Sequence, residues 1–327
     1  MSSANRSPRR TLIRRLTLAA AAALLLGLVS LPTAGAAPPP PQRTFASPEE
    51  AVQALVAAVK AEDRKALAAI LGPEGRPLIW SGDRAADQHA RARLLRAYEQ
   101  AHRLETPTDT RAVLLIGPDA WPLPIPVVKE GDAWRFDTAA GKEEILNRRI
   151  GRNELNAVQV CLAYVDAQRE YARVPREGDG LLKYAMQFRS DPGKKNGLYW
   201  RTEAGDEPSP LGPLVAEARA EGQGRKTSSG KPAPYHGYFY RILTAQGPDA
   251  PGGAFDYVVD GNLLGGFALV AFPARYGVSG VMTFIVNYQG VVSEKDLGPD
   301  TGTLARGMQA YNPNATWKKV EEPPPAP

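Results

Sequence analysis

The sequence predicts an α+β protein in which an N-terminal cone-like helix-plus-sheet domain, a long connecting helix and a C-terminal antiparallel β-sheet domain follow one another. Apolar residues recur at helical spacing over residues 48–105. Short apolar runs bounded by Gly and Pro follow over residues 112–136, and helical spacing then returns over 142–173. Beyond residue 237, five short apolar segments are separated by Gly and Asn turns, which is typical of an antiparallel sheet.

The first 36 residues are typical of a cleavable secretory signal. Five arginines precede an apolar stretch from Leu16 to Leu31, and the small residues Ala34-Gly35-Ala36 follow it. The stretch has 16 residues, fewer than the roughly 20 that a membrane span needs. We therefore expect cleavage after Ala36 and a periplasmic or secreted protein with no stable membrane span. The pair Arg9-Arg10 is similar to a twin-arginine signal, so the twin-arginine and general secretory routes both stay open.

The net charge of +5 belongs to this segment, because residues 1–36 hold five arginines and no acidic residue. Cleavage after Ala36 would leave 35 basic and 35 acidic residues, a formally neutral chain. A neutral chain with no basic aromatic stripe lacks the electrostatic footprint of a nucleic-acid-binding protein, so no nucleic-acid partner is expected. The single cysteine, Cys161, excludes an internal disulfide and is predicted to be a buried structural thiol in an apolar helix stripe.

Three helices are predicted before the first strand. Ser47-Pro48-Glu49-Glu50 places Ser at the N-cap, Pro at N1 and Glu at N3, a capping box that begins the first helix. Asp63 is the predicted cap of a second helix, which Gly72-Pro73 ends. A third helix is expected from about Arg84 to Glu105, closed by Pro107.

The pattern then changes from helical to strand periodicity. Residues 112–116 are a strand candidate, and residues 133–136 form another after a turn at 130–132. The three prolines within 121–128 exclude a central strand there and predict a sheet edge or an extended connector. Helices followed by a curved hairpin sheet are similar to nuclear-transport-factor-2-like domains, a similarity that concerns the fold alone.

The connecting helix carries an apolar stripe that we expect to pack on both halves of the protein. Further short helices are predicted at 181–189 and 211–220, and the polar segment 221–234 is predicted to be a mobile loop. Strands are predicted at 237–244, 255–259, 267–272, 281–286 and 290–292. The predicted organisation is a signal peptide at 1–36, a Pro-rich disordered segment at 37–44, an N-terminal α+β domain at 45–141, the connecting helix at 142–173, a C-terminal sheet domain at 174–312 and a disordered tail at 313–327.

The sequence contains no recognisable catalytic, cofactor-binding or metal-binding motif. His89 and His102 are 13 residues apart on a predicted helix, which places them about 140° apart around its axis. Ser279 lies in Gly277-Val278-Ser279-Gly280, which does not match the G-x-S-x-G pattern of a nucleophile elbow. The Gly-rich segments 251–253 and 261–266 do not lead into a predicted helix, so no phosphate cradle is expected. We therefore expect neither a cofactor nor a metal.

Two clusters supply the candidate binding residues. Arg148 and Arg152 are i,i+4 neighbours on the connecting helix and could clamp a carboxylate or phosphate of a ligand or partner. Glu144 lies four residues before Arg148, so ordinary pairing within the helix is the alternative. In the segment 235–240, strand alternation would place His236, Tyr238 and Tyr240 on one face. That face either belongs to the core or stacks on a glycan or peptide.

Several segments carry a resemblance to a family of exported bacterial proteins, domain of unknown function 2950. They include Trp134-Arg135-Phe136-Asp137, the run 148–155, Gly197-Leu198-Tyr199-Trp200 and, above all, residues 254–296. The resemblance implies a cell-envelope address and no particular activity. The C-terminal part is also similar to the head domains of type IV pilins and pseudopilins, because Ala167-Gln168-Arg169-Glu170-Tyr171-Ala172 lies where a helix leads into a small antiparallel sheet.

These observations support two functional hypotheses. The first is a non-catalytic envelope module that binds an envelope protein or cell-wall partner, or supports assembly. The alternative is a periplasmic enzyme, or a protein that binds a small ligand or a cell-wall fragment around His236 and Tyr238. Both hypotheses leave the oligomeric state open.

Overall fold

One long helix connects two hydrophobic cores. The computed structural model describes residues 41–79, 84–176, 178–203, 205–220 and 233–321. Helices and antiparallel sheets alternate along the described chain, so the α+β class is confirmed. Within these ranges, no helix combines the length and the apolar character that crossing a membrane requires.

The first core lies between helices and one antiparallel sheet of order β1-β2-β4-β5, with β3 beside β2. Its helices are α1 (Pro48–Lys60), α2 (Arg64–Leu71), a 3₁₀ turn (Pro73–Gly75), α3 (Arg76–Ile79) and α4 (Arg84–Gln100). Its strands are β1 (His102–Thr108), β2 (Arg111–Ile116), β3 (Trp121–Pro122), β4 (Val127–Glu130) and β5 (Ala133–Phe136).

The predicted helix starts of this core are confirmed. The Ser47 hydroxyl accepts the Glu50 N–H at 3.1 Å, and the Glu50 carboxylate accepts the Ala46 N–H at 3.0 Å. The Asp63 carboxylate accepts the Ala66 N–H at 2.9 Å and caps α2. These side chains satisfy backbone donors that the first turn of a helix leaves without an intrahelical partner.

The prediction of a helix as far as Glu105 is wrong. Helix α4 ends at Gln100, and residues 102–108 form the edge strand β1, where His102 pairs with Ile116 and Leu104 with Leu114. The Gly117 N–H donates to the carbonyls of Ala97 and Ala101 and so satisfies the end of the helix. Long-range pairing with β2 therefore overrides the local helical pattern, and an edge strand tolerates Pro107.

The connector follows the prediction at residues 121–126, but residues 127 and 128 belong to β4, a central strand that pairs with both β2 and β5. Residues 121–122 form the two-residue β3 beside β2, and the chain resumes as a strand only at Val127. Strands β4 and β5 then form the hairpin predicted around Gly131. The prolines therefore leave a short irregular segment, residues 123–126, whose exposed side forms part of a cleft described below.

The connecting helix α5 spans Thr138–Tyr171, four residues earlier at its start than predicted. The Asp137 carboxylate caps it by accepting the Ala140 N–H at 3.1 Å. The Thr138 hydroxyl donates to the Leu71 carbonyl at 2.8 Å, which ties the helix to the first core. Beyond Asn156, the helix buries a stripe that includes Cys161, Tyr164 and Tyr171 in the second core. The expectation that one helix packs on both halves is confirmed.

The second core surrounds a five-stranded antiparallel sheet of order β15-β13-β12-β11-β6. Its main strands are β6 (Tyr238–Leu243), β11 (Ala268–Pro273), β12 (Met282–Asn287), β13 (Ser293–Asp296) and β15 (Lys318–Lys319). Shorter pairs are β7 (Ala245–Gln246), β8 (Phe255–Asp256), β9 (Val258–Val259), β10 (Asn262–Leu263) and β14 (Ala310–Tyr311); α6 (Gly212–Ala220) and α7 (Thr301–Gly307) complete the elements. Strand β11 is buried along its whole length, and both α5 and α7 pack against it.

The helix predicted at 181–189 does not form. The segment is extended, and the Tyr184 N–H donates to the Leu263 carbonyl at 2.9 Å. The side chain of Gln168, wholly buried in α5, both donates to and accepts from the Ala185 backbone at 2.8 Å. An α5 side chain therefore takes the backbone groups of Ala185 that a helix would use.

Two further predictions near the C-terminus are wrong. Residues 290–292 form a turn and loop, and the strand begins at Ser293. The disordered tail predicted from residue 313 is ordered to residue 321, because β15 pairs with β13 and Trp317 packs against the second core. The helix predicted at 211–220 is confirmed as α6. Most of the loop predicted at 221–234 lies outside the described residues.

Candidate functional site

His236 lies in a tight turn, before the strand on which it was predicted. The Tyr235 and Tyr238 backbones exchange two hydrogen bonds of 2.9 Å across His236 and Gly237. Both central residues have positive φ, +47° for His236 and +75° for Gly237, as a two-residue hairpin turn requires. The expectation that His236, Tyr238 and Tyr240 share a strand face therefore fails at His236.

This turn docks on helix α5. Asn156 Nδ2 lies 3.1 Å from His236 Nδ1, and the Asn153 amide donates to the Ser279 carbonyl at 2.9 Å. A Cβ on Gly237 would lie 2.6 Å from Asn153 Nδ2, so both the backbone conformation and the close approach of α5 demand glycine. A half-buried imidazole in a left-handed conformation is therefore fixed beside the helix.

The two tyrosines that follow contribute to the core. Tyr238 is wholly buried, and its hydroxyl donates to the Met282 carbonyl at 2.9 Å. A Cβ on Gly280 would lie 2.1 Å from that hydroxyl oxygen, so the tyrosine is closely packed. Burial raises the pKa of Tyr238 and of Tyr240 well above their ordinary value. Both hydroxyls therefore stay protonated at neutral pH, and Tyr238 has no exposed surface for a ligand.

The two arginines predicted to act together have different surroundings. The Arg148 guanidinium donates to the Glu144 carboxylate at 2.7 Å and to the Pro122 carbonyl at 2.8 Å, and it lies over the Trp121 ring at 5.2 Å. Arg152, one turn further on, is exposed. The pairing of Glu144 with Arg148 within the helix is thus the alternative that the structure bears out. These contacts hold Arg148 against β3.

Two carboxylates meet where α5 crosses the sheet. Glu154 Oε1 accepts the N–H groups of Val281 and Met282 at 2.8 and 3.0 Å. Burial, and then repulsion from Glu154, raises the pKa of Glu294, whereas Lys318 acts in the opposite direction. Since Glu154 is occupied with holding β12 against α5, we interpret this pair as structural.

A cluster of basic residues surrounds a cleft between residues 189 and 201. This cleft, called here the cationic cleft, has a volume of about 520 Å³. The cations Arg189, Lys194, Lys195 and Arg201 line it with the aromatic residues Tyr199 and Trp200, and Asp191 is its one acidic lining residue. The described part of the chain therefore presents a formal excess of three positive charges there.

Backbone pairing builds the cationic cleft. The Ser190 N–H donates to the Tyr199 carbonyl at 2.8 Å, and the Tyr199 N–H donates to the Phe188 carbonyl at the same distance. A Cβ on Gly197 would lie 2.7 Å from the Arg189 carbonyl carbon, so only glycine allows the two segments to cross. Asn196 closes the intervening loop by donating to the Asp191 carboxylate at 2.9 Å.

Aromatic rings and one carboxylate hold the cations in place. Arg189 lies over Tyr199 at 5.6 Å, and Lys195 lies over Trp200 at 5.4 Å. Behind Lys195, the side chain of Arg176 is only 5% exposed and lies over Trp200 at 5.1 Å. Glu207 binds both Lys195, at 2.9 Å, and Arg176. The bond from Lys195, and then that from Arg176, holds the pKa of Glu207 below its ordinary value.

The sequence did not indicate this cleft as a binding site. Its cations lie at 189, 194, 195 and 201, a spacing that follows neither a helix nor a strand period. The one local signal is Lys194-Lys195 shortly before Tyr199-Trp200-Arg201. Only the crossing at Gly197 brings these side chains around one space.

Cys161 and the metal-binding residue types offer no further site. Cys161 is buried, and burial raises the pKa of its thiol, so the predicted structural thiol is confirmed. Among the described residues, no three or more His, Cys, Asp and Glu side chains are grouped so that they could hold a metal ion.

Comparison with known proteins assigns the chain to a family. The sequence pattern of the family described as "Protein of unknown function (DUF2950)" matches residues 42–320. The chain therefore belongs to the DUF2950 family, as its sequence resemblance implies. No curated protein and no solved structure is significantly similar to it.

Proposed function

We propose that this protein is an exported, non-catalytic binding module of the bacterial cell envelope, and that it holds an anionic ligand in the cationic cleft. The observation that carries the proposal is the set of four cations around one space, against a single lining carboxylate. A volume of about 520 Å³ lies within the range of roughly 300–1,000 Å³ typical of ligand sites.

Two of the cations that line the cleft are already held in position without a ligand. Binding normally costs free energy because long side chains must be ordered. Here Arg189 and Lys195 are already positioned by aromatic rings, and Glu207 adds a second anchor to Lys195. Carboxylate and phosphate groups are the anions that such cations bind best. In the envelope, the carboxylates of peptidoglycan peptides and the phosphates of other polymers would both supply this chemistry.

The sequence placed the alternative, a protein that binds a small ligand or a wall fragment, around His236 and Tyr238, but Tyr238 is wholly buried. A ligand of that kind would instead use the cationic cleft and the same chemistry. An enzyme would in addition need a nucleophile or an acid–base group in contact with the ligand. The lining of the cationic cleft supplies cations, aromatic rings, Ser190 and one carboxylate. That carboxylate, Asp191, accepts a hydrogen bond from Asn196 and forms an ion pair with Lys194 at 3.6 Å. Binding without catalysis is therefore the function we favour.

The experiment uses the full-length chain, exported with a C-terminal tag and purified after processing. Its binding is measured against two probes: peptidoglycan sacculi stripped of phosphate polymers, and inorganic polyphosphate. The variant Lys194→Gln/Lys195→Gln/Arg201→Gln should bind the recognised probe at least about tenfold more weakly, because three of the four cations are lost. The preferred probe distinguishes carboxylate from phosphate recognition.

The matched control is Lys65→Gln/Arg96→Gln/Lys129→Gln, which removes three exposed cations from the first half of the protein. It has the same net charge as the test variant and should bind like the wild type. Equally weakened probe binding in both variants would show that the effect comes from the net charge of the protein and not from the cleft. Failure of the wild type to bind either probe at 50 mM NaCl would contradict the proposed function.

Export is tested separately. We propose that the mature chain begins at Ala37, because the Ala34-Gly35-Ala36 site follows the apolar stretch. Mass spectrometry of the exported protein measures its N-terminus directly. A double Arg9→Lys/Arg10→Lys variant that still reaches the envelope would exclude the twin-arginine route, whereas its retention in the cytoplasm would exclude the general secretory route.

Two finer fold assignments are part of the proposal. We assign the first half to the nuclear-transport-factor-2-like cones, supported by the packing of α1, α2 and α4 on one antiparallel sheet. We assign the junction of α5 with the second sheet to pilin-head geometry, supported by the packing of that helix against β11 and β12. An experimental structure would test both.

A further inference from the structure

A second cleft lies in the first half of the protein, between helix α5 and the proline-containing connector. It has a volume of about 420 Å³ and is called here the Trp121 cleft. One wall is a single face of α5 that carries Glu143, Glu144, Asn147 and Arg148, at the i, i+1, i+4 and i+5 positions of the helix. The other wall contains Arg111 of β2 and the prolines of residues 122–126.

Trp121 forms an open aromatic surface beside this cleft. The residue is 57% exposed, although tryptophan is among the side chains with most to gain from burial. Arg148 covers one ring face at 5.2 Å, so the exposed area belongs to the opposite face and the ring edges. The Trp121 backbone is held on the sheet, because it pairs with Ile116 of β2. Trp121 does not itself line the cleft, but its ring adjoins it through Arg148 and the neighbouring Pro122, which do.

The position of Arg148 is fixed by three contacts. Its guanidinium donates to the Glu144 carboxylate and to the Pro122 carbonyl, and it lies over the Trp121 ring. Only 22% of the Arg148 side chain is exposed. The arginine thus joins the aromatic surface on the sheet to the polar face of the helix, and both walls of the cleft are held in one geometry.

The charges around the Trp121 cleft balance. Arg111 and Arg148 are matched by Glu143 and Glu144, so the lining is formally neutral although it is polar. Such a site offers no net attraction to an ion. It offers guanidinium donors, carboxylate acceptors and the Asn147 amide, which has both. These planar groups can form paired hydrogen bonds with neighbouring hydroxyls.

We propose that the Trp121 cleft binds an uncharged saccharide. A pyranose ring has an apolar C–H face that packs on an aromatic ring, and a rim of hydroxyls that both donate and accept hydrogen bonds. Trp121 would take the apolar face, and Glu143, Asn147 and Arg148 would take the hydroxyls. This site is separate from the cationic cleft, shares no lining residue with it, and does not rest on the proposed anion binding.

A proline-rich peptide is the other occupant that aromatic and proline surfaces suggest. Such peptides dock their apolar rings into aromatic-lined grooves and need few polar partners. Five polar side chains line the Trp121 cleft, and four of them are charged. Docking a proline-rich segment there would remove water from these groups without providing enough hydrogen bonds. The saccharide fits this lining better because its own hydroxyls replace the water.

The test is a calorimetric titration of the exported full-length protein with three neutral trisaccharides: chitotriose, cellotriose and maltotriose. The wild type should bind at least one. Trp121→Ala should weaken that binding at least about tenfold, and Trp121→Phe should retain most of it, because a smaller aromatic face remains. Asn147→Ala, which removes an exposed polar group of the lining, should weaken binding several-fold.

Phe255→Leu is the matched control, since Phe255 is a second exposed aromatic residue and lies in β8. It should bind the trisaccharide like the wild type. Thermal unfolding of every variant checks the fold, and an exposed Trp121 should be replaceable without a large loss of stability. Absence of binding by all three trisaccharides, or unchanged binding by Trp121→Ala, would overturn the proposal. The proline-rich probe is a peptide with the sequence of residues 321–327 of this chain, Glu-Glu-Pro-Pro-Pro-Ala-Pro. If the protein binds this peptide instead, and Trp121→Ala loses that binding, the saccharide proposal is also overturned.

Discussion

The two clefts use the same residue types in opposite ways. In the cationic cleft Trp200 is 7% exposed, and the cations Lys195 and Arg176 lie over its ring. In the other cleft Trp121 is 57% exposed and has a single arginine over one face. The Trp200 ring thus packs under two cations, whereas most of the Trp121 side chain is exposed to solvent.

Charge shows the same contrast. The cationic cleft has three positive charges in excess, whereas the Trp121 cleft has none. Long-range attraction therefore favours anions at one site, and short-range stacking and hydrogen bonds decide binding at the other. An aromatic residue beside an arginine therefore does not by itself identify the ligand, because the exposure of the ring and the net charge of the site also matter.

The largest expected effect separates the two tryptophans. Trp200→Ala should lower the free energy of unfolding by about 3–5 kcal/mol, because it removes a buried ring from the second core and releases Lys195. Trp121→Ala should change it by less than about 0.5 kcal/mol, as exposed substitutions usually do. Urea denaturation of both variants measures the difference. Equal losses would remove the distinction between a supporting ring and an open one.

Two glycines should affect their own clefts separately. A Cβ on Gly197 would lie 2.7 Å from the backbone at Arg189, and one on Gly141 would lie 2.5 Å from Ile125 Cγ1. We expect Gly197→Ala and Gly141→Ala each to cost about 1–3 kcal/mol, as forced packing does. Gly197→Ala should weaken anion binding alone, and Gly141→Ala should weaken saccharide binding alone.

The matched control for the glycines is Gly151→Ala, where the added Cβ would meet no neighbouring atom within 4 Å. Because Gly151 lies inside α5, this change should leave stability unchanged or raise it by up to about 1 kcal/mol. Binding at both clefts should be unaffected. Loss of both anion binding and saccharide binding in either test variant would show that the two clefts are coupled.

Protonation of Glu207 in acid should loosen the cationic cleft. Lys195 and Arg176 hold the pKa of Glu207 below its ordinary value of 4.5. The stability that this carboxylate contributes is therefore complete above the unfolded pKa and is lost as the pH falls through the lower, folded pKa. Trp200 fluorescence, read in a variant whose other tryptophans are phenylalanine, should change below about pH 4.5. Glu207→Gln should remove that change, and its persistence in Glu207→Gln would assign it to another group.

The smallest effect concerns the predicted arginine pair. Arg148→Gln should weaken saccharide binding several-fold, because it releases both Trp121 and Glu144. Arg152→Gln should alter binding and stability by less than about 0.5 kcal/mol, since its side chain is exposed. Calorimetry of the two variants compares them directly. Equal losses of binding in the two variants would show that Arg148 and Arg152 act together, as the sequence predicted.

Local chemistry predicted much of the fold. The caps at Ser47 and Asp63, the prolines after Trp121 and the apolar strands of the second sheet each act within a few residues, so their patterns were readable. The boundary after Gln100 was not readable, because β1 is a strand only through its pairing with β2. Likewise Ala185 is held by a side chain 17 residues away, which no local pattern indicates.

The sites were less predictable than the fold. The sequence identified Arg148, because its partner Glu144 lies only four residues before it on the same helix. It could not show that Tyr238 is wholly buried, because that depends on the approach of Gly280 from the turn before β12. It missed the cationic cleft for a similar reason, since the crossing at Gly197 is a tertiary contact. Site residues spread over loops become visible only after the chain has folded.

The two clefts should bind their different ligands independently. NMR of the exported protein, labelled with ¹⁵N at its tryptophan indoles and titrated with the recognised trisaccharide and then with the recognised anionic probe, measures this independence. The Trp121 indole signal should shift with the saccharide alone. The Trp200 signal, whose N–H donates to the Glu207 carbonyl at 3.1 Å, should shift with the anion alone. Shifts of both signals with one ligand, or displacement of one ligand by the other, would contradict independent binding.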